Sequence, residues 1–130
     1  MLSLTPELAE FFGILFGDGY MNKYKDYHYL IEIAGHLEKD FEYHTCYIKK
    51  LMKLLFDIEP HLTLRKYQKT LYTRISSKKI FHILEEIGMP KGRKTNLMIP
   101  AWIKDNPEHF ITFIKGFGSR SLDIKILHLL

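Results

Sequence analysis

Segments with helical spacing and segments with strand-like alternation follow one another along the first two thirds of the chain, and their order narrows the possible folds. Apolar residues recur at helical spacing in the former and alternate with polar residues in the latter. The predicted elements, in chain order, are a helix that starts at Pro6 and ends at Gly19, strands over Tyr20–Tyr24 and Tyr27–Gly35, a helix over Glu38–Asp57, strands over His61–Tyr67 and Thr70–Ser76, and a helix from Ser77 to Ile87. Two hairpins separated by helices predict an α+β fold, in which helices cover one face of an antiparallel sheet.

The rest of the chain begins this pattern again. Asn106-Pro107-Glu108 repeats the helix-start signal of Thr5-Pro6-Glu7, and apolar residues at helical spacing follow it. Before it lie the basic, turn-rich stretch PKGRKTN and an apolar segment, Ile99–Ile103, that we expect to pack against the body. We therefore divide the chain into a first unit over residues 1–89, a linker and docking segment over 90–105, and a second helix with its tail over 106–130.

The length and composition of the chain suit one domain with a single core. It has 130 residues, of which 46% are hydrophobic. Its 19 Lys and Arg against 15 Asp and Glu give a formal net charge of +4, a basic bias that suits polyanionic partners. Because Cys46 is the only cysteine and no apolar run reaches the ~18 residues of a membrane span, we expect a cytoplasmic protein without disulfides or membrane segments.

Small residues recur at every fourth position of the first helix. Ala9, Gly13 and Gly17 therefore form a smooth stripe along one of its sides. A glycine inside a helix costs roughly 0.5–1 kcal/mol relative to alanine, and the close approach of a second helix would offset that cost. The stripe predicts helix pairing, either within the domain or with a second copy of the chain.

Asp18 lies between two glycines at the C-terminal end of this helix, where the helix dipole disfavours an anion. Gly19 is expected to end the helix in a left-handed conformation. A solvated Asp-Gly turn would explain Asp18 without a ligand, whereas a divalent cation would reverse the dipole penalty. If two such helices paired, bound Mg²⁺ ions would stabilise the adjacent carboxylates. Metal ions held in that way activate water and stabilise the leaving oxygen of a phosphodiester.

The stretch FFGILFGDG, Phe11–Gly19, resembles the signature motif of the LAGLIDADG homing endonucleases. Gly13, Asp18 and Gly19 match the motif, and Phe16 stands where the motif has its first acidic letter. The order of the elements is similar to one αββαββα half of the family's fold, and the stretches YLIEIAGHLEKDFEY and MPKGRKTNLMIPAWI look like archaeal members. The resemblance implies a saddle-shaped antiparallel sheet plus a C-terminal helix, double-stranded DNA as the partner, Mg²⁺ as the cofactor, and Asp18 with Gly19 at the metal site.

The second motif that a two-motif member carries lacks its acid in this chain. Aligning Gly116 with Gly13 places Ser121 opposite Asp18, whereas aligning the two helix starts places Ser119 there, and Asp123 falls out of register. Three outcomes remain open. A homodimer through the Asp18 helix would supply two acids. A monomer whose second helix packs on the first would have one acid. The third possibility is a truncated remnant that still folds. We expect the homodimer.

The resemblance also implies DNA contacts from the open face of the sheet and from the basic linker, although each of these side chains would also suit a solvated surface. The DNA-binding candidates are Lys23, Lys25, His28, Glu32, Arg65, Tyr67, Lys69, Tyr72, Arg74, Lys91, Arg93 and Lys94. Alternation places Arg65, Tyr72 and Arg74 opposite the apolar residues of their strands, which makes them the best candidates.

Two functions are compatible with these features. The leading interpretation is a Mg²⁺-dependent, site-specific double-strand DNA endonuclease of the homing type that acts as a homodimer. The alternative is a catalytically inactive DNA- or RNA-binding module on the same scaffold, such as a regulator, a maturase-like protein or a truncated remnant.

Overall fold

The helices and strands follow the predicted order in a computed structural model that describes residues 2–25, 28–92 and 97–118. The helices are α1 (Pro6–Asp18), α2 (Lys49–Phe56), α3 (Lys78–Glu86), α4 (Ala101–Lys104) and α5 (Pro107–Phe117), with a π-helical segment, Tyr43–Ile48, before α2. The strands are β1 (Gly19–Tyr24), β2 (His28–His36), β3 (His61–Arg65) and β4 (Thr70–Ser76). They form an antiparallel sheet in the order β1-β2-β4-β3. The predicted α+β class is confirmed, and none of the described helices is long and apolar enough to cross a membrane.

Helix α1 begins where its sequence signal predicts and ends without the expected glycine geometry. The Thr5 hydroxyl accepts a hydrogen bond from the Leu8 backbone N–H at 3.2 Å, and Pro6 occupies the first turn. The prediction of a left-handed Gly19 is wrong, because its φ of −101° and ψ of 171° are extended. The chain passes directly from α1 into β1, and Asp18 therefore lies at the junction of a helix with a strand.

The second helical region starts later than predicted, because local hydrogen bonds hold the chain in a turn. The Asp40 carboxylate accepts a hydrogen bond from the His36 backbone N–H at 2.7 Å, and His36 Nδ1 accepts from the N–H groups of Glu38 and Lys39, each at 3.2 Å. These bonds fold residues 37–40 into a turn, so that helical structure begins at Phe41 instead of Glu38.

The sheet has one apolar face, which packs on the helices, and one open face. Met21, Ile31 and Ile75 face the helices at cross-strand positions and are buried with α1 in the core. Apart from Leu30 and Ala34 of β2, the alternate positions of the same strands are polar or aromatic, and they are partly or fully exposed. This division places the candidate DNA-binding strands with one side towards solvent.

The apolar segment that follows the basic stretch packs against the body. Ile103 in α4 is fully buried, and the Trp102 indole N–H donates to the Ile87 carbonyl oxygen at 2.8 Å. The Trp102 ring also meets the Phe12 ring edge-on, with centroids 5.2 Å apart. These contacts fix the start of α5 beside α1.

The Asp18 cleft and the open face of the sheet

The glycine stripe of α1 is occupied by α5 of the same chain. A Cβ atom added at Gly13 would overlap the Phe113 carbonyl oxygen and lie 2.8 Å from the Phe117 backbone nitrogen. One added at Gly17 would lie 3.0 Å from the Phe117 carbonyl oxygen, and Ala9 is fully buried. The stripe therefore contacts another helix, and that helix belongs to the same chain. A homodimer through the same stripe would require α5 to leave it.

The contacts between α1 and α5 have an approximate two-fold pattern. Gly13 lies against Phe113 and Phe117, and Gly116 lies against Glu10 and Ile14. Gly13 thus contacts the residues three before and one after Gly116. Gly116 in turn contacts the residues three before and one after Gly13. This register makes Gly116 the counterpart of Gly13.

The same register decides between the two sequence alignments of the second motif. Counted along the sequence from Gly13 and Gly116, the residue that corresponds to Asp18 is Ser121 and not Ser119. Both serines, like Asp123, lie outside the described residues. The position equivalent to Asp18 carries no carboxylate in this sequence.

Asp18 borders a cleft of about 640 Å³ between the end of α1, the end of β2, the π-helical segment and the end of α5. The side chain of Asp18 is exposed. Charged and aromatic groups from each of the other elements face the same cleft, namely His36, Lys39, Tyr43 and Lys115. The carboxylate-bearing residues Asp18 and Asp40 thus line the same cleft as Lys39, in the turn after β2, and Lys115 of α5.

A tyrosine pair of the π-helical segment connects this cleft to a buried carboxylate. Glu10 is 6% exposed, and its two carboxylate oxygens accept hydrogen bonds from the Tyr47 hydroxyl at 2.7 and 2.6 Å. Burial is the main cause that raises the pKa of Tyr47 above its usual value, and the hydrogen bond to Glu10 raises it further. Tyr43 stacks on Tyr47 with ring centroids 5.5 Å apart, and burial, with the carboxylates of Glu10 and Asp18, raises its pKa to about 12. Both phenols stay protonated at neutral pH, and that of Tyr47 donates to Glu10.

The described residues do not by themselves fit a complete divalent-metal site. No group of three His, Cys, Asp or Glu side chains in residues 2–25, 28–92 and 97–118 is arranged to hold a metal ion. Asp18 offers one carboxylate, and Gly19 offers only backbone atoms. Divalent cations of this type prefer several oxygen ligands, so Asp18 does not complete such a site within the described residues.

The open face of the sheet carries the three best DNA-binding candidates together. Arg74 lies 4.9 Å from the Tyr72 ring centroid, measured at its guanidinium carbon, and Arg65 lies 5.7 Å from the same ring. Arg74 Nε also donates to the Glu32 carboxylate at 2.7 Å. The predicted alternation is therefore correct for these residues, and two cations flank one aromatic ring on the solvent side of the sheet.

The other candidates are spread over several parts of the surface. His28 is on the open face opposite Tyr24, whereas the register places Lys23 across from Tyr29 on the helix-facing side, with its ammonium 5.5 Å from that ring. The turns hold Lys25, Lys69 and the fully exposed Tyr67. Lys91 pairs with Glu85 at 3.4 Å. Arg93 and Lys94 lie outside the described residues.

The sequence-based predictions do not include Glu10, Tyr20 or His61. Glu10 carries a usable signal, since it is the only charged residue between Leu8 and Phe16. Tyr20 and His61 share a cross-strand row with Glu32 and Arg74. That row depends on strand order and register, which alternation within single strands does not determine.

Comparisons with known proteins identify the fold. No protein-family model and no curated protein matches the sequence. A variant of I-DmoI in complex with its target DNA in the presence of manganese is 23% identical, with a TM-score of 0.63 over 92% of this chain and 64% of that chain. I-DmoI in complex with DNA and calcium is 24% identical, with a TM-score of 0.57 over 92% of this chain and 61% of that chain.

A further I-DmoI variant, with target DNA in the presence of magnesium, is 23% identical, with a TM-score of 0.55 over 87% of this chain and 60% of that chain. The chain thus spans only 60% to 64% of the length of these I-DmoI chains. At this level of identity the likeness establishes the architecture. The chain has the fold of I-DmoI, a LAGLIDADG homing endonuclease.

Proposed function

We propose that this chain binds double-stranded DNA through the open face of its sheet and contributes Asp18 as one metal-ligating acid of a homing-type nuclease. The observation that carries the proposal is the contrast between the two faces of the sheet. Helices cover the apolar face, whereas arginine and tyrosine side chains cluster on the other. Such donors bind phosphates and base edges. The I-DmoI structures reported above are complexes with DNA, which supports the same use of the fold here.

Metal-dependent cleavage requires more ligands than the described part of the chain offers. A divalent metal in such a nuclease activates water and stabilises the leaving oxygen. Asp18 is the residue of this chain best positioned to ligate it, because its carboxylate is exposed at the end of α1 and borders the cleft. The matched structures were solved with manganese, calcium or magnesium, which supports a divalent metal without selecting Mg²⁺.

The homodimer expected from the sequence would supply a second Asp18, but only if α5 were displaced from the α1 stripe. Since α5 fills the stripe at backbone distance, we propose a monomer as the DNA-binding form. Double-strand cleavage would then depend on a second carboxylate from another source.

A direct test compares wild type with Asp18→Asn in duplex-binding and cleavage assays with and without Mg²⁺ or Mn²⁺. We expect metal-free binding of duplex DNA that weakens steeply as salt rises, and no double-strand cleavage by the monomer. Asp18→Asn should bind at least as tightly, because it removes a negative charge near the DNA.

Absence of duplex binding at low salt would refute the proposal. A preference for RNA over duplex DNA would favour the RNA-binding alternative. Double-strand cleavage by a protein that runs as a monomer would contradict the assignment of a single acid.

A further inference from the structure

One cross-strand row on the open face combines a carboxylate with a guanidinium at the centre of the sheet. The register aligns Tyr20 of β1, Glu32 of β2, Arg74 of β4 and His61 of β3. Glu32 and Arg74 belong to the two interior strands, because the strand order is β1-β2-β4-β3. Because the major groove admits two strands side by side, the two interior strands are better placed than the edge strands to reach base edges.

The Arg74 guanidinium is held before any ligand binds. Its Nε donates to Glu32 at 2.7 Å, and the two side chains are only 29% and 15% exposed. The Tyr72 ring supports the guanidinium 4.9 Å away. Within the described part of the chain, the hydrogen bond of this guanidinium runs through Nε, so the donors on Nη1 and Nη2 remain available. This terminal fork is the group that pairs with two acceptors in one plane.

The electrostatics of the pair distinguish base contacts from phosphate contacts. Arg74 and Glu32 together carry no net charge, so they gain little from phosphate attraction. Arg65 has no salt bridge within the described residues and keeps its full charge on the edge strand β3. The two arginines that flank Tyr72 thus differ in what they can recognise.

We propose that Arg74, positioned by Glu32, reads one guanine in the major groove through N7 and O6, and that Arg65 contacts the backbone. Bidentate arginine is the commonest specific contact with guanine. The inference rests on the proposed function, because it requires the open face to bind duplex DNA. It adds a base preference at one position and assigns each arginine a different role.

The experiment first selects preferred duplexes from a randomised pool with the wild-type protein. Binding of the selected duplex and of all its single-base-pair variants is then measured for wild type, Arg74→Lys, Glu32→Gln and Arg65→Ala. Arg74→Lys keeps the charge but loses the terminal fork of the guanidinium. At one G·C pair, the ratio of affinities for the selected duplex and its variants should fall about 10- to 100-fold. The other positions and the salt dependence should not change.

Glu32→Gln is a second test that retains Arg74. It should weaken discrimination at the same base pair, because the guanidinium is no longer held, and it should raise affinity for unrelated duplexes, because it removes a negative charge. Arg65→Ala is the matched control on the same face. It should weaken binding to all duplexes equally and reduce the salt dependence.

The possible failures are distinguishable. A wild type that binds no duplex DNA would remove the proposed function itself. A wild type that binds duplexes without base preference, or a folded Arg74→Lys protein with the wild-type base profile, would overturn only this inference. Thermal melts of each variant identify loss of binding that is caused by unfolding.

Discussion

At the scale of single residues, His44 makes the stability of the fold depend on pH. It is 2% exposed, and its Nδ1 lies 2.7 Å from the Thr73 hydroxyl oxygen. Burial lowers the pKa of His44, partly offset by the carboxylate of Asp40. The folded pKa lies below the unfolded value of about 6.5, so the unfolded state binds the proton more readily. We expect the free energy of unfolding to fall as the pH drops below the unfolded pKa of His44. The decrease should end once the pH lies below the folded pKa.

The measurement is the melting temperature of wild type and His44→Gln between neutral and mildly acidic pH. Glutamine does not titrate, so the melting temperature of His44→Gln should fall less steeply on acidification than that of wild type. His61→Gln is the control, since that side chain is exposed on the open face and its removal should leave the slope unchanged. Parallel slopes for wild type and His44→Gln would show that burial of this imidazole does not control the acid sensitivity.

At the scale of elements, the glycines of α1 and α5 set how closely the two helices approach. Alanine in place of a helical glycine gains roughly 0.5–1 kcal/mol from helix propensity. At Gly13 or Gly116, however, the new Cβ would overlap a carbonyl oxygen of the facing helix. We expect each change to lower the free energy of unfolding by about 1–3 kcal/mol, because the helices must move apart.

Gly17→Ala provides a graded comparison in urea denaturation followed by circular dichroism. Its Cβ would be 3.0 Å from the nearest backbone oxygen, which a small shift relieves, so the loss should be smaller. If Gly13→Ala were as stable as wild type or more so, α5 would not pack on α1 as closely as the structure shows.

The elements differ in how far the sequence predicts them, and the difference follows from the range of the interactions. The start of α1 at Pro6, capped by Thr5, and the alternation of β4 depend on neighbouring residues, and both are predicted correctly. The later helix start at Phe41 depends on a bond between Asp40 and the end of β2, which alternation does not reveal. The partner of the Gly13 stripe was open because a distant helix and a second copy of the chain offer the same backbone surface.

At the scale of the whole molecule, the α1–α5 pairing predicts a monomer in solution. The α1 stripe admits one helix at backbone distance, and α5 already occupies it. Because α5 is tethered to α1, its effective concentration at the stripe is about millimolar. A second chain at a lower concentration would therefore not displace it. Light scattering should therefore give a mass near 15.5 kDa over a wide concentration range. A mass near twice that value would mean that α1 pairs with its own copy and that two Asp18 carboxylates meet, which would restore the dimeric nuclease expected from the sequence.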